Sequence, residues 1–295
     1  NSFKNKKFVM VLGLLTSGNL GLNTFIQIES RFKIGFVLTD SDSIKIIDFC
    51  RLKKIPCYHG NPRKNRAYKF IKNISVDIII SINYIFLIEK DIINHSNKLT
   101  FNIHGSLLPK YRGRTPHVWA IINNEKETGI TAHKIDEGCD TGDIIKQIVI
   151  PIDFFDTGSD ILEKFKKYYF KVVCDVISKC ENNALKFSKQ NEKFATFFGK
   201  RTPSDGKIDW DWQKERIHNW VRAQSNPYPG AFTFFETNKI IIDEVRFSET
   251  CYSPIIENGV VILNKPNIIV KTTNGALELI KLRTPVSLEI GCKLN

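Results

Sequence analysis

The sequence lacks several patterns that would assign its class at once. It has no uninterrupted apolar run of about 18 residues, the length that a membrane-spanning helix requires, so we predict no membrane segment. Its seven cysteines are odd in number and include no Cys-x-x-Cys pair. Neither a disulfide framework nor a zinc site is therefore predicted. Thiols without such a pattern are typical of a reducing compartment, and we predict a cytoplasmic protein.

Common nucleotide-binding and hydrolase motifs are missing as well. The sequence has no Gly-x-Gly-x-x-Gly fingerprint, no Walker A loop and no Gly-x-Ser-x-Gly elbow. The acidic stretch "HKIDEGCDTGDI" (133–144) does not have the spacing of a calcium loop, and no metal site is predicted. The glycines of "GLLTSGNLG" (13–21) indicate a turn after a first strand, and either packing or phosphate binding would explain them.

The chain instead carries an excess of positive charge. It has 43 Lys and Arg residues against 31 Asp and Glu residues, a formal net charge of +12. Such an excess suits nucleic acid, and it suits a pyrophosphate or another anionic small molecule equally well. The lysines are scattered among Asn and Ile residues and form no block. This pattern favours a solvated surface, and we predict no nucleic-acid partner.

Short apolar runs alternate with helical segments in the first half of the chain. The basic N-terminus resembles a signal peptide, but the glycine turn that follows favours a first strand-helix unit. Six strands are predicted, at Lys7–Leu15, Ile34–Leu38, Asp77–Ile82, Leu99–Ile103, Gly129–Ile135 and Asp143–Ile150. Three helices are predicted, at Leu22–Ile28, Ser43–Leu52 and Ser159–Cys180. This alternation predicts an α/β fold with a Rossmann-like, mostly parallel sheet.

The composition changes after residue 180. Residues 181–206 are polar and end in Pro and Gly, which predicts a linker. One helix is predicted at Gln213–Ala223, and five short strands follow at Ala231–Phe235, Lys239–Val245, Gly259–Leu263, Ile268–Lys271 and Ala276–Lys281. This second part resembles a small barrel of the OB type. We therefore predict a catalytic domain at 1–188, a linker at 189–206 and a β-rich C-terminal domain at 207–295.

The stretch "FNIHGSLLPKYRG" (101–113) holds the strongest candidate site. Asn102 and His104 alternate with apolar residues, so their side chains share one face at the end of a predicted strand. Ligands of open α/β sheets bind at such strand ends. A carboxylate from the later acidic loop would orient His104 and favour its protonated form. Acyl transfer needs one group that stabilises an oxyanion and one that moves a proton, and an amide beside an imidazole can supply both. The alternative is that Asn102 and His104 are structural polar residues.

These residues also carry a resemblance to a known family. The Asn-x-His strand end, the Ser-Leu-Leu-Pro loop and a downstream Asp resemble the signature of the 10-formyltetrahydrofolate-dependent formyltransferases. Asn102, His104, 106–109 and Asp140 match that signature. Beyond the linker, "FGKRTPSDGKIDW" and "HNWVRAQSNPYPGAF" are similar to the start of the family's C-terminal domain. The resemblance implies a formyl transferase that uses 10-formyltetrahydrofolate as co-substrate, without a metal, with Asn102, His104 and Asp140 as catalytic residues.

The resemblance extends to the binding residues. It implies that the folate lies against two segments, whose residues are Tyr84, Ile85, Phe86, Leu87 and Ile88 in the first and His133, Ile135 and Asp136 in the second. An ordinary helix start is the alternative for the first segment. Contacts with the acceptor substrate are predicted for Ser106, Tyr111, Arg112, Arg114 and Arg201. Arg112 and Arg114 flank Gly113, where a guanidinium could bind a pyrophosphate through two hydrogen bonds, and a solvated basic loop is the alternative.

Members of the family differ in the amine that accepts the formyl group. Methionyl-tRNA, a nucleotide-linked amino sugar and glycinamide ribonucleotide are used by different relatives, and the last is handled by shorter chains without a second domain. Enzymes that act on tRNA carry a basic, Gly- and Pro-rich insertion after the second strand. Here a helix is predicted within three residues of Asp40, which leaves no room for that insertion.

The remaining residues resemble the sugar branch, which includes the formyltransferase half of the bifunctional aminoarabinose-lipid enzyme. We therefore predict a homodimeric N-formyltransferase for a dTDP-linked amino-dideoxy sugar, serving the synthesis of surface polysaccharide such as lipopolysaccharide. Methionyl-tRNA formyltransferase is the alternative. A degenerate scaffold with a nucleic-acid-binding β domain is a third interpretation, and the intact set of Asn102, His104 and Asp140 argues against it.

Overall fold

The computed structural model describes residues 10–295. The strands are β1 (Val11–Thr16), β2 (Lys33–Thr39), β3 (Cys57–His59), β4 (Ile78–Ile82), β5 (Leu99–His104), β6 (Arg112–Gly113), β7 (Glu127–Lys134), β8 (Ile144–Pro151), β9 (Phe197–Phe198), β10 (Ala231–Phe235), β11 (Asn238–Ser248), β12 (Val261–Leu263), β13 (Ile268–Thr272) and β14 (Gly275–Leu282). The α-helices are α1 (Gly18–Glu29), α2 (Ile44–Lys53), α3 (Arg66–Ile71), α4 (Lys90–Ile93), α5 (Pro116–Ile122), α6 (Gly158–Glu181) and α7 (Lys214–Ala223). Of the first predicted strand, residues 7–9 lie outside the described part.

A seven-stranded sheet forms the core of the first part of the chain. Its strand order is β3-β2-β1-β4-β5-β7-β8. The five strands from β3 to β5 are parallel to their neighbours, and β7 runs antiparallel to β5. All five residues of β4 are buried, as a strand covered on both faces requires. The predicted Rossmann-like, mostly parallel sheet is confirmed.

Five short elements before β7 were not predicted from the sequence. They are β3, α3, α4, β6 and α5, of two to seven residues each. Elements of this length have too few apolar positions to show a periodicity that differs from that of a loop.

A five-stranded sheet forms the core of the second part. Its order is β10-β11-β14-β13-β12, and every neighbouring pair is antiparallel. Helix α7 packs on this sheet, and its Ile217 and Val221 are buried in one apolar cluster with Ile242, Val270 and Leu277. All five predicted strands are present, so the β-rich C-terminal domain is confirmed.

The chain divides into two compact units that are not continuous in sequence. The first contains residues up to Gly113, 129–150 and 164–197, and the second contains 114–128, 151–163 and 198–295. Both inserted segments bond to the rest of the second unit. His117 Nε2, in 114–128, lies 2.7 Å from the Tyr228 hydroxyl, and Arg222 donates to the carbonyl of Asp156, in 151–163, at 2.5 Å. The sequence-based limits at 1–188, 189–206 and 207–295 stay a prediction.

Candidate active site

Strand pairing brings the first polar residues of the site together. Asn102 on β5 is the register partner of His133 on the antiparallel strand β7. The Nδ1 atom of His133 lies 2.8 Å from the Lys134 carbonyl, which can only accept, so Nδ1 carries the hydrogen. The lone pair of Nε2 then accepts from the Asn102 amide, at 3.1 Å. His133 therefore fixes which way the Asn102 amide points.

His104 lies two residues beyond Asn102 on the same strand and is buried. Its Nε2 donates to the Tyr111 carbonyl at 2.8 Å, which leaves the lone pair of the neutral ring on Nδ1. That Nδ1 lies 3.5 Å from Asp140 Oδ1. A proton that His104 accepts therefore arrives next to a carboxylate.

Opposing effects act on the pKa of His104. Burial lowers the pKa of the imidazole below its ordinary value of 6.5. Asp140 and the Tyr111 carbonyl act in the opposite direction, and His133 adds to the lowering. Burial outweighs the carboxylate and favours the neutral imidazole, while Asp140 acts toward the protonated form, as expected from the sequence.

Asp140 lies between the two imidazoles on a loop where its own backbone has φ of 57°. Its Oδ1 lies 3.6 Å from His133 Nε2, and its Oδ2 accepts from the Gly113 N–H at 2.9 Å. Burial alone would raise the pKa of this carboxyl group. Interaction with His104 and the hydrogen bond from the Gly113 N–H act against burial, and the pKa lies far below its ordinary value. Asp140 is therefore an ionised carboxylate beside a neutral imidazole.

The loop after β5 is held by its own polar groups. The Ser106 hydroxyl is buried and donates to the Lys110 carbonyl at 2.6 Å. The Tyr111 N–H donates to Thr196 Oγ1 at 2.8 Å, and the Tyr111 carbonyl accepts from His104. Ser106 and Tyr111 were predicted as substrate contacts. The bonds that the structure shows for both residues shape the loop that follows His104.

The three predicted arginines have different surroundings. The guanidinium of Arg112 is 1% exposed and donates to Gln190 and Glu192, with the Phe197 ring 5.2 Å away. A pyrophosphate would have to displace both acceptors. In the second unit, Arg114 is exposed.

Arg201, also in the second unit, lies against two indole rings. Its guanidinium carbon is 5.1 Å from the Trp119 ring centroid and 4.3 Å from that of Trp220. It also donates to the Asp205 carbonyl and to Gln224 Oε1. These contacts describe a packed structural arginine, and a role in substrate binding stays a prediction.

The first predicted folate-binding segment is a loop. Residues 83–89 are not helical and α4 begins at Lys90, so the alternative of a helix start was wrong. Ile85 and Leu87 are 39% and 62% exposed, which leaves apolar surface for a ligand. The hydroxyl of Tyr84 is buried and has no hydrogen-bond partner among the described residues. Burial raises the pKa of that hydroxyl.

The second predicted folate-binding segment follows β7. The Ile135 N–H donates to the Thr100 carbonyl at 3.1 Å. Asp136 Oδ1 accepts from the Gly138 N–H at 3.1 Å and from the Thr141 hydroxyl at 2.6 Å, which shapes the loop that carries Asp140. His133 was predicted as a folate contact. In the structure its ring lies against Asn102 and Asp140, and a contact with the folate stays a prediction.

A cavity of about 450 Å³ lies at the carboxyl ends of β1, β2 and β4. The strand order reverses between β1 and β4, which is where open α/β sheets bind ligands. Its walls come from the turn after β1, the connection after β2 and the start of the loop after β4, and they include Gly18, Asn19, Asp40, Ser43, Lys45, Asn83 and Ile85. We did not predict this cavity as a site. The glycines of the first turn and an Asp at the end of β2 are the signals that could have indicated it.

The described residues contain neither a group suited to a metal ion nor a helix suited to a membrane. No group of three or more His, Cys, Asp or Glu side chains within residues 10–295 could hold a metal ion. In the same part of the chain, no helix is long and apolar enough to cross a membrane.

Two family models match the chain. A formyl transferase model matches residues 30–177, and a model for the formyl transferase C-terminal domain matches residues 200–290. A curated relative is the bifunctional polymyxin resistance protein ArnA of Wigglesworthia glossinidia brevipalpis, 31% identical over 281 residues. The match covers 92% of this chain and 42% of that protein, so the chain spans about two fifths of the relative's length.

Solved structures share the fold. One is WlaRD, a sugar 3N-formyl transferase crystallised with dTDP and 5-N-formyl-THF, with a TM-score of 0.71 and 24% identity over 94% of this chain and 99% of that one. Another is methionyl-tRNA formyltransferase from Clostridium thermocellum, with a TM-score of 0.60 and 20% identity over 92% of this chain and 100% of that one. Identities this low establish the fold and do not discriminate between sugar and tRNA as acceptor.

Proposed function

The chain belongs to the formyl transferase family, and we propose that it is an N-formyltransferase for a nucleotide-linked amino sugar. The donor is 10-formyltetrahydrofolate, and the acceptor is the amine of a nucleoside-diphosphate amino-dideoxy sugar, dTDP-linked, for the synthesis of surface polysaccharide. The observation that supports formyl transfer is the cluster of Asn102, His104, His133 and Asp140 at the end of β5. Homodimer formation and a cytoplasmic location stay predictions of the sequence.

The cluster fits the chemistry of formyl transfer. When the acceptor amine attacks the formyl carbon, negative charge develops on the formyl oxygen. The Asn102 amide is held by His133 and has a second N–H that can donate to that oxygen. Neutral His104 can take the proton that the amine loses and return it to the leaving folate nitrogen. Asp140 compensates the charge of the transient imidazolium, because its Oδ1 lies 3.5 Å from the protonated Nδ1.

The donor assignment is supported by the surface beside this cluster. The loop after β4 presents Ile85 and Leu87 to solvent. A planar heterocycle binds against apolar side chains of this kind, with a few polar groups to orient it. WlaRD, with which the chain shares its fold, was crystallised with a formylated tetrahydrofolate. We therefore propose that the pterin ring of the donor lies against residues 84–88.

The acceptor assignment is supported by the connection after β2. Strand β2 ends at Thr39 and α2 begins at Ile44, so only four residues join them. A connection of this length cannot form the basic insertion by which tRNA enzymes of the family contact the acceptor stem. The same connection borders the cavity at the β1 and β4 strand ends, which has the volume of a small-molecule site. We propose that this cavity receives part of the nucleotide sugar.

Acceptor preference can be measured by the mass gain of a formyl group. The enzyme and 10-formyltetrahydrofolate are incubated separately with methionyl-tRNA and with a panel of dTDP- and UDP-amino sugars. We expect saturable formylation of a sugar, with a KM in the micromolar to millimolar range of ordinary enzymes. Binding to tRNA should be weak and should fall steeply with added salt, as nonspecific phosphate contacts do.

The Asn102→Ala variant serves as the control in each incubation, because it should lose formylation of whichever acceptor is used. Efficient formylation of methionyl-tRNA with no reaction on any sugar would overturn the sugar assignment. The assignment of formyl transfer would still stand.

A further inference from the structure

Two loops hold the groups of the cluster in place, and they must keep a fixed distance from each other. Residues 105–113 supply the Tyr111 carbonyl that orients His104 and the Gly113 N–H that binds Asp140. Residues 136–142 carry Asp140 itself. The loops are far apart in sequence, and a shift of about 1 Å between catalytic groups can cost about a hundredfold in rate.

A third segment, within the predicted linker, is bonded to both loops through one side chain. The Gln190 amide donates from Nε2 to the Asp140 carbonyl and to the Gly142 carbonyl, both at 2.8 Å. Its Oε1 accepts from Arg112 Nε at 3.1 Å and from Nη2 at 2.7 Å. Both hydrogens and both lone pairs of the amide are thereby used. A side chain that both donates and accepts in this way has no charged substitute, because a carboxylate lacks the two N–H groups.

The neighbours of Gln190 strengthen the connection to the first loop. Arg112 is almost fully buried, and its guanidinium also donates to Glu192 at 2.6 and 2.9 Å. The Arg112 N–H donates to the Thr196 carbonyl at 2.8 Å, and the Thr196 N–H donates to the Pro109 carbonyl at 3.3 Å. A buried guanidinium needs these acceptors, so the segment around residue 190 cannot leave the first loop without a large cost.

From this arrangement we infer that Gln190 is a positioning residue for the reaction, bridging the loop of Asp140 to the loop that follows His104. The inference rests on the proposed function. Gln190 acts on Asp140 through the backbone: it binds the carbonyl of that residue on one side and Arg112 on the other. The segment that the sequence indicated only as a linker is in this sense part of the active site.

A displacement of Asp140 should change the pKa of His104 in one direction. Its ring faces the carboxylate of Asp140 and the imidazole of His133, and its Nε2 is bonded to the Tyr111 carbonyl. Of the two titratable neighbours, Asp140 raises the pKa of His104 and His133 lowers it. If Asp140 moves away, the pKa of His104 should fall further. The acidic limb of the pH profile of kcat/KM should then move to lower pH.

The test compares Gln190→Met, which removes the bridge without adding charge, with Lys189→Met, the same replacement at the exposed neighbouring position. We expect Gln190→Met to lower kcat by about ten- to a hundredfold, with the KM values of donor and acceptor unchanged and the acidic limb displaced to lower pH. Lys189→Met should behave as the wild type. A Gln190→Met enzyme with wild-type kcat and an unmoved limb would overturn the inference.

Gln190→Glu covers the case in which the methionine variant does not fold. The carboxylate keeps an acceptor for Arg112 and opposes the two carbonyl groups of the Asp140 loop, so the variant should fold and lose kcat to a similar degree. Wild-type turnover in this variant would equally contradict the bridge.

A measurement without substrate separates the bridge from the proposed function. The pKa of His104 is followed by NMR titration in the wild type and in each folded Gln190 variant. A lower pKa in Gln190→Met supports the bridge even if the wild type transfers no formyl group to any acceptor, a result that would remove the proposed function alone. An identical titration in both proteins would remove the bridge.

Discussion

Asn102→Ala should lower kcat by about a hundred- to a thousandfold, the scale on which one oxyanion donor contributes. The amide is held by His133, so its donor is already directed before the substrates bind and needs no reorganisation. Alanine has no side-chain N–H, so position 102 no longer donates to the formyl oxygen when negative charge develops there. The rate is measured as single turnover with both substrates saturating, so that product release does not hide the chemical step.

Two further variants make the Asn102 experiment specific. Asn102→Asp keeps the size of the side chain but has no N–H, and it should be as slow as the alanine variant. Asn97→Ala removes an exposed asparagine whose side-chain amide donates to the Ser75 hydroxyl at 3.3 Å, and it should keep wild-type turnover. Near wild-type rates for either Asn102 variant would show that the amide does not stabilise the oxyanion.

Asp140→Asn and His104→Ala should each lower kcat/KM at least as much as Asn102→Ala does. An amide at position 140 cannot compensate an imidazolium at His104, and without the imidazole the proton has no acceptor beside the carboxylate. Because the two residues act as one unit, their losses should not add. The double variant should therefore be about as slow as the slower single variant.

The measurement is a double-mutant cycle on kcat/KM, with the folded state of each variant verified by its thermal unfolding. A double variant whose loss equals the product of the two single losses would mean that Asp140 and His104 act independently. The proton pathway through the pair would then be wrong.

The sheet and the first residues of the candidate site could be predicted because their signals are local. The buried runs of β1, β4 and β5 are continuous in sequence, and strand alternation places Asn102 and His104 on one face. The chemistry of the Asn-x-His pair needs only that alternation and a carboxylate nearby. Asp140 was selected by the family resemblance, and the structure places it against His104.

The remaining features depend on long-range pairing and burial. His133 lies beside Asn102 because β5 and β7 pair antiparallel in one register, which no local pattern specifies. The buried position of Arg112 depends on Gln190 and Glu192, which come from a segment predicted only as a linker. The lowered pKa of His104 follows first from its burial, and burial is a property of the whole packed unit.

The fate of the formyl carbon tests the central claim most directly. 10-Formyltetrahydrofolate labelled with ¹³C in the formyl group is mixed with the enzyme and a dTDP-amino-dideoxy sugar, and the label is followed by NMR. We predict that the label appears as a formamide on the sugar nitrogen with the wild type, and that this signal is lost with Asp140→Asn. Label that stays on the folate, that is released as formate, or that reaches the sugar equally fast with Asp140→Asn would contradict the account.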